Sequence, residues 1–131
     1  MNKEEERAGR VDLKQRTKAF ALRVIRLYTA LPKSTEAQVI GKQALRAGTS
    51  VGAHYREAVR SRSDAEYVAK IMGGLQELEE TSYWLELLVE AGIMPEQRLS
   101  DLKQEADELA AILASCAKLA KAKSQSNNRG E

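Results

Sequence analysis

With 131 residues, 43% of them hydrophobic and 31% charged, the chain has room for one domain whose core needs no disulfide or metal support. Its net charge of +2 conceals a split, because residues 1–62 hold 14 Lys/Arg against 6 Asp/Glu and residues 63–131 hold 7 against 13. One cysteine, Cys116, excludes an intrachain disulfide and a Cys/His zinc site, and one histidine, His54, excludes the paired Glu-x-x-His motifs of a di-iron bundle.

Alanine occurs 19 times while aromatic residues make up only 5%. That balance favours closely packed helices over a sheet, where β-branched and aromatic residues would dominate. The opening MNKEEERAGR has no apolar signal-peptide core, and no stretch approaches the roughly 18 apolar residues of a membrane span. A lone thiol suits a reducing compartment, so a cytoplasmic protein without a membrane partner is expected.

Residues 1–11 are charged and aperiodic and are expected to be flexible. From Asp12 to Leu31 an apolar stripe of Leu13, Phe20, Val24, Leu27 and Leu31, with Ala21 and Tyr28 beside it, predicts the first helix. Pro32 ends it, since the residue before a proline is biased away from the helical region. The second helix opens at Ser34 or Thr35, where Thr35 and Gln38 have the spacing of a capping box. Its stripe of Ile40, Ala44, Ala47, Val51, His54 and Ala58 is mostly small, so a neighbouring helix can approach closely.

Ser63-Asp-Ala-Glu66 is the strongest start signal in the chain and opens the third helix. Val68, Ile71, Leu75, Leu78, Ser82, Leu85 and Val89 follow a heptad spacing, and Gly92 supplies a C-terminal stop. Pro95 suits the first turn of a fourth helix, with Leu99, Leu102, Ala106, Leu109, Leu113, Cys116 and Ala120 as its stripe. Residues 122–131 are polar and aperiodic and are expected to be disordered. The short connections predict an all-α, antiparallel up-down-up-down four-helix bundle over residues 12–121.

Chemistry-bearing constellations are few. There is no P-loop and no GxGxxG, and Gly73-Gly74 falls inside a helical pattern, where each glycine costs about 0.5–1 kcal/mol relative to alanine. Close helix contact or a kink is the expected reason for that pair. Cys116 lies on an apolar stripe, as a packed structural thiol does. No cofactor, metal or catalytic residue is expected, and the chain reads as a non-enzyme.

Ser50, His54 and Glu57 share one face of the second helix and predict a polar cluster, read as a buried imidazole bonded to a carboxylate. Tyr83, Trp84, Leu85, Leu87, Leu88 and Val89 crowd the third helix in nearly every direction, which predicts burial on a second side, as in a subunit interface. Glu77 and Glu80 step along with Trp84. The row Glu77, Glu79, Glu80 and Glu86 reads either as part of that interface or as a solvated face, salt-bridged to arginines of helix two.

The basic set comprises Arg23, Arg26, Lys42, Arg46, Arg56, Arg60 and Arg62, largely outside the apolar stripes. Arginine's planar fork suits phosphate and carboxylate alike. These charges therefore serve either RNA or DNA, bound with little sequence preference, or ion pairs with acidic helices of other copies.

Three strings carry a family resemblance: Leu22-Arg-Val-Ile-Arg-Leu-Tyr-Thr-Ala-Leu-Pro32, then Gln43 to Ala58 (QALRAGTSVGAHYREA), then Glu77 to Leu88 (ELEETSYWLELL). In order and spacing, over residues 15–120, the chain resembles the four-helix bundle proteins named after 23S rRNA intervening sequences. The resemblance implies a homopentamer without enzymatic activity whose role involves RNA, DNA or a nucleic-acid-handling protein. A weaker likeness to accessory proteins of diversity-generating retroelements implies service to a reverse transcriptase. Arg46, Ser50, Tyr55, Arg56 and Glu57 match the family's helix-two signature, and Glu77, Glu80, Thr81, Tyr83 and Trp84 its helix-three signature. His54 departs from the usual asparagine, and Gly73-Gly74 from bulkier residues.

Overall fold

Side-chain caps and one left-handed glycine set where the helices break. In the computed structural model, which describes residues 12–128, α1 spans Leu13–Ala30, α2 Thr35–Val59, α3 Asp64–Glu90 and α4 Glu96–Asn128. Asp12 accepts from the Gln15 N–H at 3.2 Å, Ser34 from Ala37 at 3.4 Å and Ser63 from Glu66 at 3.0 Å. Each bond satisfies an amide that the first helical turn leaves without a partner. Leu31, preceding Pro32, is extended, and α1 stops there.

The expected Thr35–Gln38 capping box does not form. Ser34 is the cap, which frees the Gln38 side chain to donate to the Pro32 carbonyl at 2.9 Å and accept from the Tyr28 hydroxyl at 2.8 Å. These bonds staple the α1–α2 corner. After α3, Gly92 adopts a φ of 73°, its N–H bonds to the Val89 carbonyl at 3.0 Å, and the Ile93 N–H bonds to Leu88 at 2.9 Å. This is a Schellman ending, and it requires a backbone conformation that glycine takes without a Cβ penalty.

The helices pack through an inner face of α2 that is mostly small: Ala37, Gly41, Ala44, Ala47, Gly48 and Ala58 are all buried, with Val51 and Tyr55 as the larger members of the face. Gly52 lies against Thr17, Gly48 against Val24, and Gly41 against Tyr28 and Leu31. Rising numbers on α1 meet falling numbers on α2, so these two helices run antiparallel. The same holds between α2 and α3, where Glu57 meets Lys70, His54 meets Gly73, and Arg46 meets Glu77 and Glu80. Phe20, Val24, Tyr55, Ile71, Leu78, Leu85, Leu109 and Leu113 fill the interior between the four helices.

Three expectations shift in detail. His54 was placed on the inner stripe of α2, but Tyr55, 1% exposed, holds that position and His54 sits at its edge. On α3 the heptad row is only half right: Ile71, Leu78 and Leu85 are buried, while Gly74, Thr81 and Leu88 complete the face in place of Leu75, Ser82 and Val89. Thr81 is tolerated there because its hydroxyl donates to the Glu77 carbonyl at 2.7 Å. Finally, α4 continues to Asn128, past the expected end of order at Lys121. No glycine or proline interrupts residues 122–128, and Ala122, Lys123 and Gln125 are good helix formers. The expected flexible segment 1–11 lies outside the described residues, as do residues 129–131.

Contact between α1 and α4 is the sparsest of the lateral seams. Arg16 bridges it, donating from Nε and Nη2 to the two carboxylate oxygens of Glu105 at 2.8 Å each and from Nη2 to Glu108 at 2.8 Å. No helix among the described residues is long and apolar enough to cross a membrane.

A Cβ at Gly48 would fall 2.8 Å from Val24 Cγ2 and 3.1 Å from its Cβ, and Val24 is fully buried and stiff at χ1. Gly48→Ala is expected to lower unfolding free energy by about 1–3 kcal/mol, overpacking outweighing the gain in helix propensity. A denaturant titration checks this, and an unchanged or raised midpoint would contradict the close approach.

Candidate nucleic-acid interface

The charged side chains of α2 lie outside its buried face, where they stay in contact with water. Arg46, half exposed, reaches across to α3 and pairs with Glu77 at 3.3 Å and with Glu80. Two of the four acidic side chains of the α3 row are therefore bridged to an arginine of helix two within one chain. Arg46 was expected among the nucleic-acid contacts, but its charge is answered by these two carboxylates.

The predicted cluster of Ser50, His54 and Glu57 does not assemble. Ser50 donates its hydroxyl to the Arg46 carbonyl at 2.7 Å, one turn back on its own helix. Glu57 is exposed and pairs with Lys70 at 3.0 Å, which holds its carboxyl below the usual range, first through the hydrogen bond and then through charge. His54 is half-buried, and its carboxylate neighbour is Glu77, 3.7 Å from Nε2, rather than Glu57. Its ring packs on Gly73 of α3, where a Cβ would come within 2.8 Å of Nδ1. This explains Gly73-Gly74 as close helix contact. Gly74 faces Leu113 and the Val51 carbonyl in the same way.

The residues assigned to a subunit interface divide between inside and outside. Leu88 is fully buried in the chain's own core, as the heptad offset from Val89 requires. Glu77 and Glu80 are engaged by Arg46. Tyr83 remains 53% exposed and meets Trp84 edge-on at 5.1 Å, while Trp84 and Leu87 are half-buried. Trp84 Nε1 is buried and has no acceptor among the described residues.

The remaining cations lie in different parts of the molecule. Arg23 and Arg26 on α1 line a cleft of about 250 Å³ with Arg98 of α4, over an apolar floor that includes Leu27, Met94, Leu99 and Leu102. Arg60 and Arg62, at the opposite end of the bundle, line a polar cleft of about 390 Å³ that also contains Glu57, Glu66 and Lys70. Lys42 is exposed and Arg56 half-buried on α2. Among the described residues, Arg23, Arg26, Lys42, Arg56 and Arg98 form no ion pair. Sequence reasoning missed Arg98. It belongs with Arg23 and Arg26 only once α4 is folded beside α1, and no spacing in the chain signals that. No three His, Cys, Asp or Glu side chains converge as a metal-binding group among the described residues.

A family model described as 23S rRNA-intervening sequence protein matches residues 10–115. Among solved structures, the chain is similar to a protein with unknown function from the S23 ribosomal protein family of Bacteroides thetaiotaomicron VPI-5482. Identity is 35% and the TM-score 0.76, with 80% of this chain and 97% of that one covered. No protein of curated function matches.

The Glu57 pairing makes a pH-dependent contribution whose sign follows from its lowered carboxyl. The stabilisation is present above the ordinary carboxylate range and disappears as pH falls through the lowered value. Glu57→Gln is therefore expected to reduce stability slightly at neutral pH, with the difference from wild type vanishing in acid. Thermal melts across pH test this, and a difference independent of pH would refute the pairing.

Proposed function

From the premise that the chain belongs to the 23S rRNA-intervening sequence protein family, we propose that it is a non-catalytic, homo-oligomeric, cytoplasmic protein that binds nucleic acid through arginines of α1 and α2. The observation that carries this reading is the set of arginines without acidic partners. Arg46 finds carboxylates within the chain, whereas Arg23, Arg26 and Arg56 find none among the described residues. Arginines left without carboxylates suit phosphates, and contacts to phosphate alone give affinity without sequence preference. Assembly is supported by the exposed Tyr83, which meets the half-buried Trp84 edge-on at the surface of α3. The resemblance supports a pentamer, which would repeat the arginines around a ring.

A second reading, an assembly module without a nucleic-acid role, draws on Arg46, because its pairing shows that arginines here can be structural. A service role beside a nucleic-acid enzyme such as a reverse transcriptase is compatible with the first reading.

Electrophoretic retardation of a structured RNA across a salt series separates these readings. Binding at low salt is expected to weaken steeply as salt rises, each phosphate contact adding about 0.7–0.9 to the log–log slope. The double change Arg23→Gln, Arg26→Gln should flatten that slope by about 1–2. No retardation at low salt by an intact oligomer would overturn the nucleic-acid reading. Light scattering at micromolar concentration is expected to report a mass several times 14.5 kDa, and a clean monomer would overturn the oligomer.

A further inference from the structure

The cleft between α1 and α4 combines two features. Three arginines, Arg23, Arg26 and Arg98, surround it without any acidic side chain among its lining residues. Its floor is apolar: Leu27, Met94, Leu99 and Leu102 are each at most 9% exposed. The polar cleft at the other end, by contrast, carries its own acids, one of them already paired with Lys70.

A surface serving only phosphates gains nothing from an apolar floor. A surface serving only an apolar partner would not keep three unneutralised guanidiniums at its rim. The ligand that meets both demands has an anionic backbone beside a flat, apolar-faced group. An unstacked nucleotide is such a ligand, whereas a base inside a duplex is stacked on its neighbours and cannot reach a floor. At about 250 Å³ the cleft is smaller than the roughly 300–1,000 Å³ of pockets that enclose whole small molecules, so it suits one base of a longer strand.

We infer that the α1–α4 cleft seats one unpaired nucleotide of a single strand, with flanking phosphates held by Arg23, Arg26 and Arg98 and the base laid on Leu27, Met94 and Leu102. This rests on the nucleic-acid reading above and adds to it a preference for unpaired over duplex segments. Arg98 becomes a binding residue of α4, and the bundle's basic surface extends beyond its first two helices.

Fluorescence anisotropy of the full-length protein with a labelled ten-nucleotide single strand tests the inference. The comparison ligands are the same sequence as a duplex, an abasic strand of equal length, the free mononucleotide and an acidic peptide of equal charge. The single strand should bind most tightly, with the abasic strand and the mononucleotide each weaker. Arg98→Gln should weaken the single strand about tenfold, the size expected for losing one charge-assisted hydrogen bond, and the duplex much less. Lys118→Gln, exposed on α4 and far from the cleft, should leave the single-strand preference in place. Arg98 is exposed and forms no ion pair, so Arg98→Gln should fold as wild type, which circular dichroism checks.

Equal affinity for the strand and its abasic form would overturn the seat for the base. Wild-type affinity in Arg98→Gln, or an acidic peptide binding as well as the strand, would overturn the cleft as a nucleotide site. If wild type still binds RNA in those cases, only this inference fails. Absence of any nucleic-acid binding at low salt removes the broader reading as well.

Discussion

Helix α2 carries mostly alanine and glycine on its inner face, with Val51 and Tyr55 as its only large buried side chains, and the rest of the bundle is arranged around that fact. Small residues on this face let α1 approach until its side chains rest on the α2 backbone at Gly41 and Gly48. Val24 sits over Gly48, and on the other flank the His54 ring of α2 lies in the space that Gly73 leaves open. Close packing of this kind removes apolar surface from water with few large side chains, which is how a chain with 5% aromatic residues builds a continuous core.

Two consequences reach the surface. Since α1 lies closely against α2, its contact with α4 is slight, and the α1–α4 seam depends on Arg16 with Glu105 and Glu108 at one level and stays open at another. That opening is the arginine-rimmed cleft. On the other flank, α2 and α3 stand close enough for ion pairs to bridge them, so Arg46 meets Glu77 and Glu80, and Lys70 meets Glu57. The split of charge between the two halves of the sequence is thus partly neutralised where α2 meets α3. Arg16 with Glu105 and Glu108 does the same at one level of the α1–α4 seam, whereas Arg23, Arg26 and Arg98 form no ion pair at the other.

How much of this could be read from the sequence depends on the range of the interaction. Helices, the cap at Ser63 and the stop at Gly92 are decided within a few residues of themselves, and they are legible in the sequence. The small stripe of α2 announced close packing, but three- and four-residue steps from Val51 reach both His54 and Tyr55. Only the neighbouring helices decide that Tyr55 goes inward. The same ambiguity put Val89 on the α3 face where Leu88 belongs. A helix that continues to Asn128 looked like a polar tail because an exposed last stretch has no apolar period to show.

The candidate site was legible residue by residue and not as a set. Seven cations could be named from the sequence, yet which of them have acidic partners depends on contacts between residues far apart in the chain, as between Arg46 and Glu80. The same is true of Arg98, which joins Arg23 and Arg26 from another helix. The account therefore turns on a single distinction, between arginines tied to carboxylates and arginines left to meet phosphate. The arginine side-chain Nε–Hε NMR spectrum, recorded as a single-stranded RNA is added, tests it most directly. The account predicts that the Arg23, Arg26 and Arg98 signals shift progressively while those of Arg16 and Arg46 stay in place. Shifts led by Arg16 or Arg46, or a spectrum that RNA leaves unchanged, would contradict it.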